Sequence, residues 1–117
     1  MQTFETRGER DGGRVRVHAS GEVDLATVPR LEACVREYVR SDTGLVELDL
    51  QEVGFIDSTG VQLLLTLGAQ GQRDGWALVI LPSDAVRRIV CVLGLQRRLL
   101  APQLHAVEQA PLRAAAG

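Results

Sequence analysis

All 13 basic residues of this 117-residue chain are arginine; it contains no lysine. Chemistry that needs a lysine is therefore excluded, including the phosphate-binding loop whose lysine reaches the β and γ phosphates. Aromatics are almost as scarce. Phe4, Tyr38, Phe55 and Trp76 are the only ones, too few for a platform that stacks single-stranded nucleic acid. A formal net charge of −2, with arginines scattered among acids, offers no footprint for DNA, RNA or an anionic membrane. Cys34 and Cys91 have no metal-ligand spacing and read as buried, reduced thiols. No apolar run reaches the length of a membrane span, and the N-terminus lacks the apolar stretch of a secretory signal. The expected location is the cytoplasm, with no metal and no cofactor.

What is present is a core former. Hydrophobic residues make up 45% of the chain, enough for one domain to fold without disulfide or metal staples. Val15, Val17 and Ala19 alternate with Arg14, Arg16 and His18, a strand with one wet face. Asp11-Gly12-Gly13 is a turn, so the segment around 4–9 becomes its hairpin partner. Val28, Leu31, Val35 and Tyr38 follow helical spacing, with Pro29 in the first turn and Asp24 or Thr27 as the cap. A strand over 45–50 and a helix from Val61 to about Arg73 follow, closed by Asp74-Gly75. Residues 76–81 are apolar throughout, which suits a central strand covered on both faces. Ser83 or Asp84 caps a further helix with Val86, Ile89, Val90 and Leu93 as its inward stripe. A last short strand is expected near 104–107. The order implies an α/β fold: an N-terminal hairpin, then alternating helix–strand units, giving a mixed sheet packed with three to four helices.

The most informative stretch runs from Val53 to Val61, where a strand meets a small polar turn and then a helix. Thr59 and Gln62 fit a capping box, which would leave Ser58 outside the helix with a free hydroxyl. A phosphate at Ser58 would meet unpaired N–H groups and the positive end of the helix dipole. Leu63 and Leu67 fall off the stripe of Val61, Leu64, Leu65 and Gly68. They form either a second buried face or a partner-binding surface beside Ser58. His18 and His105 have no metal spacing and receive no role.

Three motifs make the chain resemble the STAS domains of bacterial anti-sigma factor antagonists: Gly21-Glu22-Val23-Asp24, Phe55-Ile56-Asp57-Ser58-Thr59-Gly60-Val61, and Val86-Arg87-Arg88-Ile89 leading to Leu93-Gly94-Leu95. The resemblance implies a STAS domain over 1–108, with 109–117 a short Ala-rich tail or frayed helix. It implies that Ser58 is phosphorylated by a kinase-type anti-sigma factor, flanked by Asp24, Asp57, Thr59 and Gly60. By the same resemblance the unmodified protein captures that factor and releases the sigma factor, phosphorylation abolishes capture, and a phosphatase restores it. The alternative within the fold is a docking subunit of a stress-signalling complex or a membrane transporter.

Enzymatic readings fare worse. An aspartic protease needs glycine two residues after its acid, and Gly60 stands three after Asp57. A receiver domain needs a lysine. A serine hydrolase needs a base, and neither histidine lies in a segment recognisable as triad-forming. No catalytic residue is expected.

Overall fold

The computed structural model describes residues 3–100. Its elements follow the expected order: β1 (Glu5–Asp11), β2 (Arg14–Val23), α1 (Val28–Tyr38), β3 (Leu45–Ile56), α2 (Ser58–Asp74), β4 (Ala77–Pro82), α3 (Asp84–Val92) and α4 (Gln96–Leu99). The four strands form one sheet in the order β1-β2-β3-β4. β1 runs antiparallel to β2, while β2, β3 and β4 are mutually parallel. Each parallel pair of neighbours is joined by a helix. The constant hand of such crossovers puts α1 and α2 on the same face.

That face carries the core. Val15, Val17 and Ala19 of β2, Val46, Leu48 and Leu50 of β3, and Leu78 and Ile80 of β4 meet Leu31 and Val35 of α1, Leu64 and Leu67 of α2, and Val86 and Val90 of α3 in one buried cluster. The opposite face carries a ladder of polar side-chain contacts. Glu47 accepts from Arg14 at 2.6 Å and from Arg16 at 2.8 Å, and His18 sits between Asp49 at 3.0 Å and Glu52 at 2.7 Å. Burial pushes the Glu47 carboxyl up, but the Arg16 and Arg14 hydrogen bonds outweigh it and hold the group below its ordinary range.

Several expectations need correcting. β3 continues to Ile56 rather than ending at Leu50, because two register shifts against β2 interrupt its alternation. Each shift places an extra β3 residue opposite β2, so Val53 and Ile56 both reach the core three residues apart. β4 is covered on both faces, by the main core and by a small cluster of Val79 with Leu45. It is nevertheless last in the strand order among the described residues. α3 ends at Val92, which leaves Leu93 outside the helix and exposed. Cys34 is buried as expected, whereas Cys91 points outward from α3 and is exposed; both are free thiols. The strand expected near 104–107, His105, and the tail over 109–117 lie outside the described residues.

One close approach fixes how α2 returns to β4. An added Cβ at Gly71 would lie 2.4 Å from the backbone oxygen of Trp76 and 2.7 Å from its ring. The backbone at Gly71 also accepts from Gly75 and Trp76 at 2.8 and 2.9 Å, so the contact cannot relax by a side-chain rotation alone. Gly71→Ala is expected to destabilise the fold by about 1–3 kcal/mol. Urea unfolding measures this as a lower midpoint at unchanged slope.

Candidate functional site

Parallel β2 and β3 end side by side, at Val23 and Ile56. The turns leaving them stay together because the Asp57 N–H donates to the Val23 carbonyl at 3.1 Å. Gly60 makes this closeness possible. A Cβ there would fall 2.6 Å from Ile56 Cγ1 and 2.9 Å from Val23 Cγ1, so only glycine lets the start of α2 sit on both strand ends.

The helix start differs from the expected capping box. Asp57, not Thr59, is the N-cap: its Oδ1 accepts from the Thr59 N–H at 3.0 Å, the Gly60 N–H at 3.1 Å and the Thr59 hydroxyl at 2.5 Å. Aspartate in extended conformation reaches the N2 and N3 amides directly, which two of the otherwise orphaned donors require. Ser58 therefore belongs to the helix as its first residue. Its side chain is exposed, and its hydroxyl has no hydrogen-bond partner among the described residues. The Thr59 hydroxyl first, then the N–H groups of Gly60, Thr59 and Leu25, hold the Asp57 carboxyl below the usual carboxylate range despite an opposing cost of desolvation.

Asp24 organises the neighbouring turn. Its Oδ1 accepts from the N–H groups of Ala26 at 3.0 Å and Thr27 at 3.1 Å. Thr27 occupies the N-cap position of α1 but makes no side-chain cap bond there. Its hydroxyl instead donates to the Glu22 carbonyl at 2.8 Å and accepts from the Asp24 N–H at 2.9 Å. Both acids beside Ser58 thus have structural work in their own turns.

Asp24, Asp57, Ser58, Thr59 and Gly60 are brought to one end of the sheet. Leu63 and Leu67 are not available there: they are 5% and 0% exposed and join the core. Of the two openings left by the sequence, the second buried face is correct, because α2 is enclosed by the sheet on one side and by neighbouring helices on others. The apolar surface at this end comes from residues the sequence reasoning missed. Leu25, in the Asp24 turn, is 75% exposed, and Phe55, next to the end of β3, is 49% exposed. Phe55 pairs in register with Glu22. A large apolar residue inside a capping turn, as Leu25 is, has no strand or helix face to bury against; that was the available signal.

A mixed sheet with α1 and α2 packed on one face, and a helix whose first residue is an exposed serine at the ends of two parallel strands, define a STAS-type domain. The chain belongs to the STAS domain family: the family model described as "Mlab, STAS domain" matches residues 7–102. It is 33% identical over 81 residues to the anti-sigma-B factor antagonist of Staphylococcus aureus, covering 68% of this chain and 75% of that protein. Among solved structures, an anti-sigma factor antagonist from Mycobacterium paratuberculosis is 28% identical with a TM-score of 0.71, over 91% of this chain and 95% of that one. The anti-sigma factor antagonist SpoIIAA in its unphosphorylated form shares the fold, with a TM-score of 0.64 at 20% identity over 84% of this chain and 86% of that one.

The Asp57 cap carries a pH signature. A carboxyl held below its unfolded value contributes stability above that unfolded value, near pH 4, and loses it as the pH falls through the folded value. Asp57→Ala should cost about 0.5–2 kcal/mol at pH 7. The difference between wild type and variant should shrink as the pH drops below about 4. Thermal melts at both pH values test this, and an equal deficit at each would show that the cap does not act through its charge.

Proposed function

We propose that this protein is an anti-sigma factor antagonist that binds a kinase-type anti-sigma factor, releases its sigma factor, and is switched off by phosphorylation of Ser58. The observation that carries the reading is the exposed, unpartnered Ser58 hydroxyl at the first position of α2. Its proton has no strong acceptor nearby, because the carboxylate next to it in sequence, Asp57, is held in a weakly basic state by three donors. Such a hydroxyl suits a substrate awaiting another protein's catalytic base better than a nucleophile with its own. The relatives named anti-sigma factor antagonists, and the unphosphorylated form named for SpoIIAA, support the same assignment.

The effect of phosphate follows from the cap. A phosphoserine brings roughly −1.5 to −2 charge to a helix end whose N2 and N3 amides already serve Asp57. The favourable dipole energy of about 0.3–1 kcal/mol is thus offset by repulsion from the resident carboxylate. The domain has little reason to refold around the modification. The switch acts at the interface, where Leu25 and Phe55 supply apolar contact and Asp24 and Asp57 make the surroundings acidic. A doubly charged group desolvated there without a counter-ion is costly. Reversing occupancy from about 99:1 to 1:99 requires roughly 5.5 kcal/mol, within reach of a buried, unpaired phosphate. A phosphatase acting on phospho-Ser58 would reset the system.

Binding to a kinase-type anti-sigma factor in the presence of ATP tests this. Ser58→Ala is expected to stay bound where wild type is released, and Ser58→Asp to bind at least about tenfold more weakly, or about 1.4 kcal/mol. Leu25→Ser combined with Phe55→Ser should lose about 10–100-fold in affinity with an unchanged melting temperature, as expected for apolar anchors. Equal retention of wild type and both Ser58 variants would favour the docking-subunit alternative. Phosphate mapped to Thr59 by mass spectrometry would move the site by one residue.

A further inference from the structure

Four large hydrophobic side chains stand exposed among the described residues, and they fall into two pairs. Leu25 and Phe55 lie where β2 and β3 end; Val92, 74% exposed, and Leu93, 48% exposed, lie where α3 ends. The two pairs have opposite electrostatic settings. Around the first stand Glu22, Asp24 and Asp57. Around the second stand Arg87, Arg88, Arg97 and Arg98, all exposed and without an ion pair among the described residues. Arg10, Arg14, Arg16 and Arg36 are each paired with an acid, and Arg7, Arg30, Arg40 and Arg73 stand singly along the chain; what sets the second end apart is four unpaired arginines gathered within twelve residues. Over 83–100 the only acid is Asp84, so the overall charge of −2 conceals a basic segment on an otherwise acidic chain.

Topology keeps the two patches apart. β4 runs parallel to β2 and β3, and its last residue, Pro82, pairs with Leu50, so the chain leaves the sheet six residues before the β3 end at Ile56 and is set back from the edge occupied by Leu25 and Phe55. α3 then packs against β3 and β4. Nine helical residues at 1.5 Å each make α3 about 13 Å long, with Val92 at its far end. Arg88 and Val92 are four apart on the outer face of α3, and Arg87 and Cys91 likewise, so arginine and exposed side chains share one surface.

We propose that copies of this chain associate head to tail, the acidic, apolar Leu25–Phe55 end of one seated on the arginine-rimmed Val92–Leu93 end of the next. Each end offers an apolar centre with a charged rim, the usual anatomy of a protein interface, and the two rims are of opposite sign. An interface between two different patches of the same molecule is heterologous and can extend or close into a ring. A nucleic acid would use the arginines but leave Val92 and Leu93 unexplained. An anionic vesicle would use both but leave the matching acidic, apolar end without a role. Because the Leu25–Phe55 end adjoins Ser58, a second copy and another partner at that end exclude one another. The association itself is independent of the switch.

Sedimentation of the purified chain alone decides the matter, with no kinase present. Wild type should gain mass over about a hundredfold rise in concentration. It should return to monomer when salt rises from about 0.1 to about 1 M, which cuts the screening length from about 10 to about 3 Å. Arg97→Glu with Arg98→Glu removes one end, and Leu25→Arg with Phe55→Arg removes the other. Each double variant alone should stay monomeric, while a mixture of the two should form a dimer of one each that grows no further. Val92→Ser with Leu93→Ser serves as a second basic-end variant should the charge reversal fail to fold. A wild type that is monomeric throughout overturns the proposal, as does a mixture that does not pair. Self-association that survives in both double variants overturns it too. So does loss of binding to phosphatidylglycerol vesicles as the only consequence of the arginine changes.

Discussion

One carboxylate holds the functional end of this domain in shape. Asp57 is the last residue before α2, and its Oδ1 gathers two amides and a hydroxyl while its own N–H ties back to Val23 of β2. The same residue therefore starts a helix and staples two strand ends together. Ser58 is exposed as a consequence: with the helix origin fixed at Asp57 and Gly60 seated on Ile56 and Val23, the position between them faces outward. The acid that a sequence reader would assign to the switch earns its place first as a cap.

The sheet prepares that end through its irregularities. A strictly alternating β3 would have sent Val53 and Ile56 to opposite faces. Two register shifts against β2 bring both to the core and turn Gly54 and Phe55 outward. Phe55 is exposed for the same reason that Ile56 is buried. The site's apolar surface and its rigid floor thus come from one departure from regular pairing, a common use of bulges near functional ends of strands.

The parts legible in the sequence were those written in period. The β1–β2 hairpin, the three helices after it and the apolar run of β4 follow from alternation, 3.6-residue spacing and glycine or proline punctuation. The parts that were not legible depended on competition between neighbours. Asp57 and Thr59 are both good caps, and only the geometry of the strand end decides that Asp57 reaches the amides while Thr59 donates to it. Leu63 and Leu67 lie off the main stripe of α2, yet a helix wedged between sheet and helices has no solvent side at that point. Cys91 lies within α3 but off its buried face, and Leu93 turned on where the helix stops. The end at Val92 is made by Gly94, whose φ of 71° lets the Leu95 N–H reach back to the Val90 carbonyl at 2.9 Å, and this leaves Leu93 as the exposed cap residue rather than part of the buried stripe.

The face of the sheet opposite the helices raises a separate question, since an apolar sheet surface invites nonspecific association. Here Arg14 and Arg16 on Glu47, and His18 between Asp49 and Glu52, tie the polar side chains of β2 and β3 to one another. The partner acids Glu47 and Asp49 have side chains only 14% and 13% exposed, so these pairs are more shielded from salt than ordinary surface pairs and more geometrically fixed. Arginine suits the task better than lysine would, because its planar fork can meet a carboxylate with two donors, as Arg16 does on Glu47 Oε2. At the two ends of the molecule, by contrast, charge of one sign stands beside exposed hydrophobic side chains: Glu22, Asp24 and Asp57 beside Leu25 and Phe55, and Arg87, Arg88, Arg97 and Arg98 beside Val92 and Leu93.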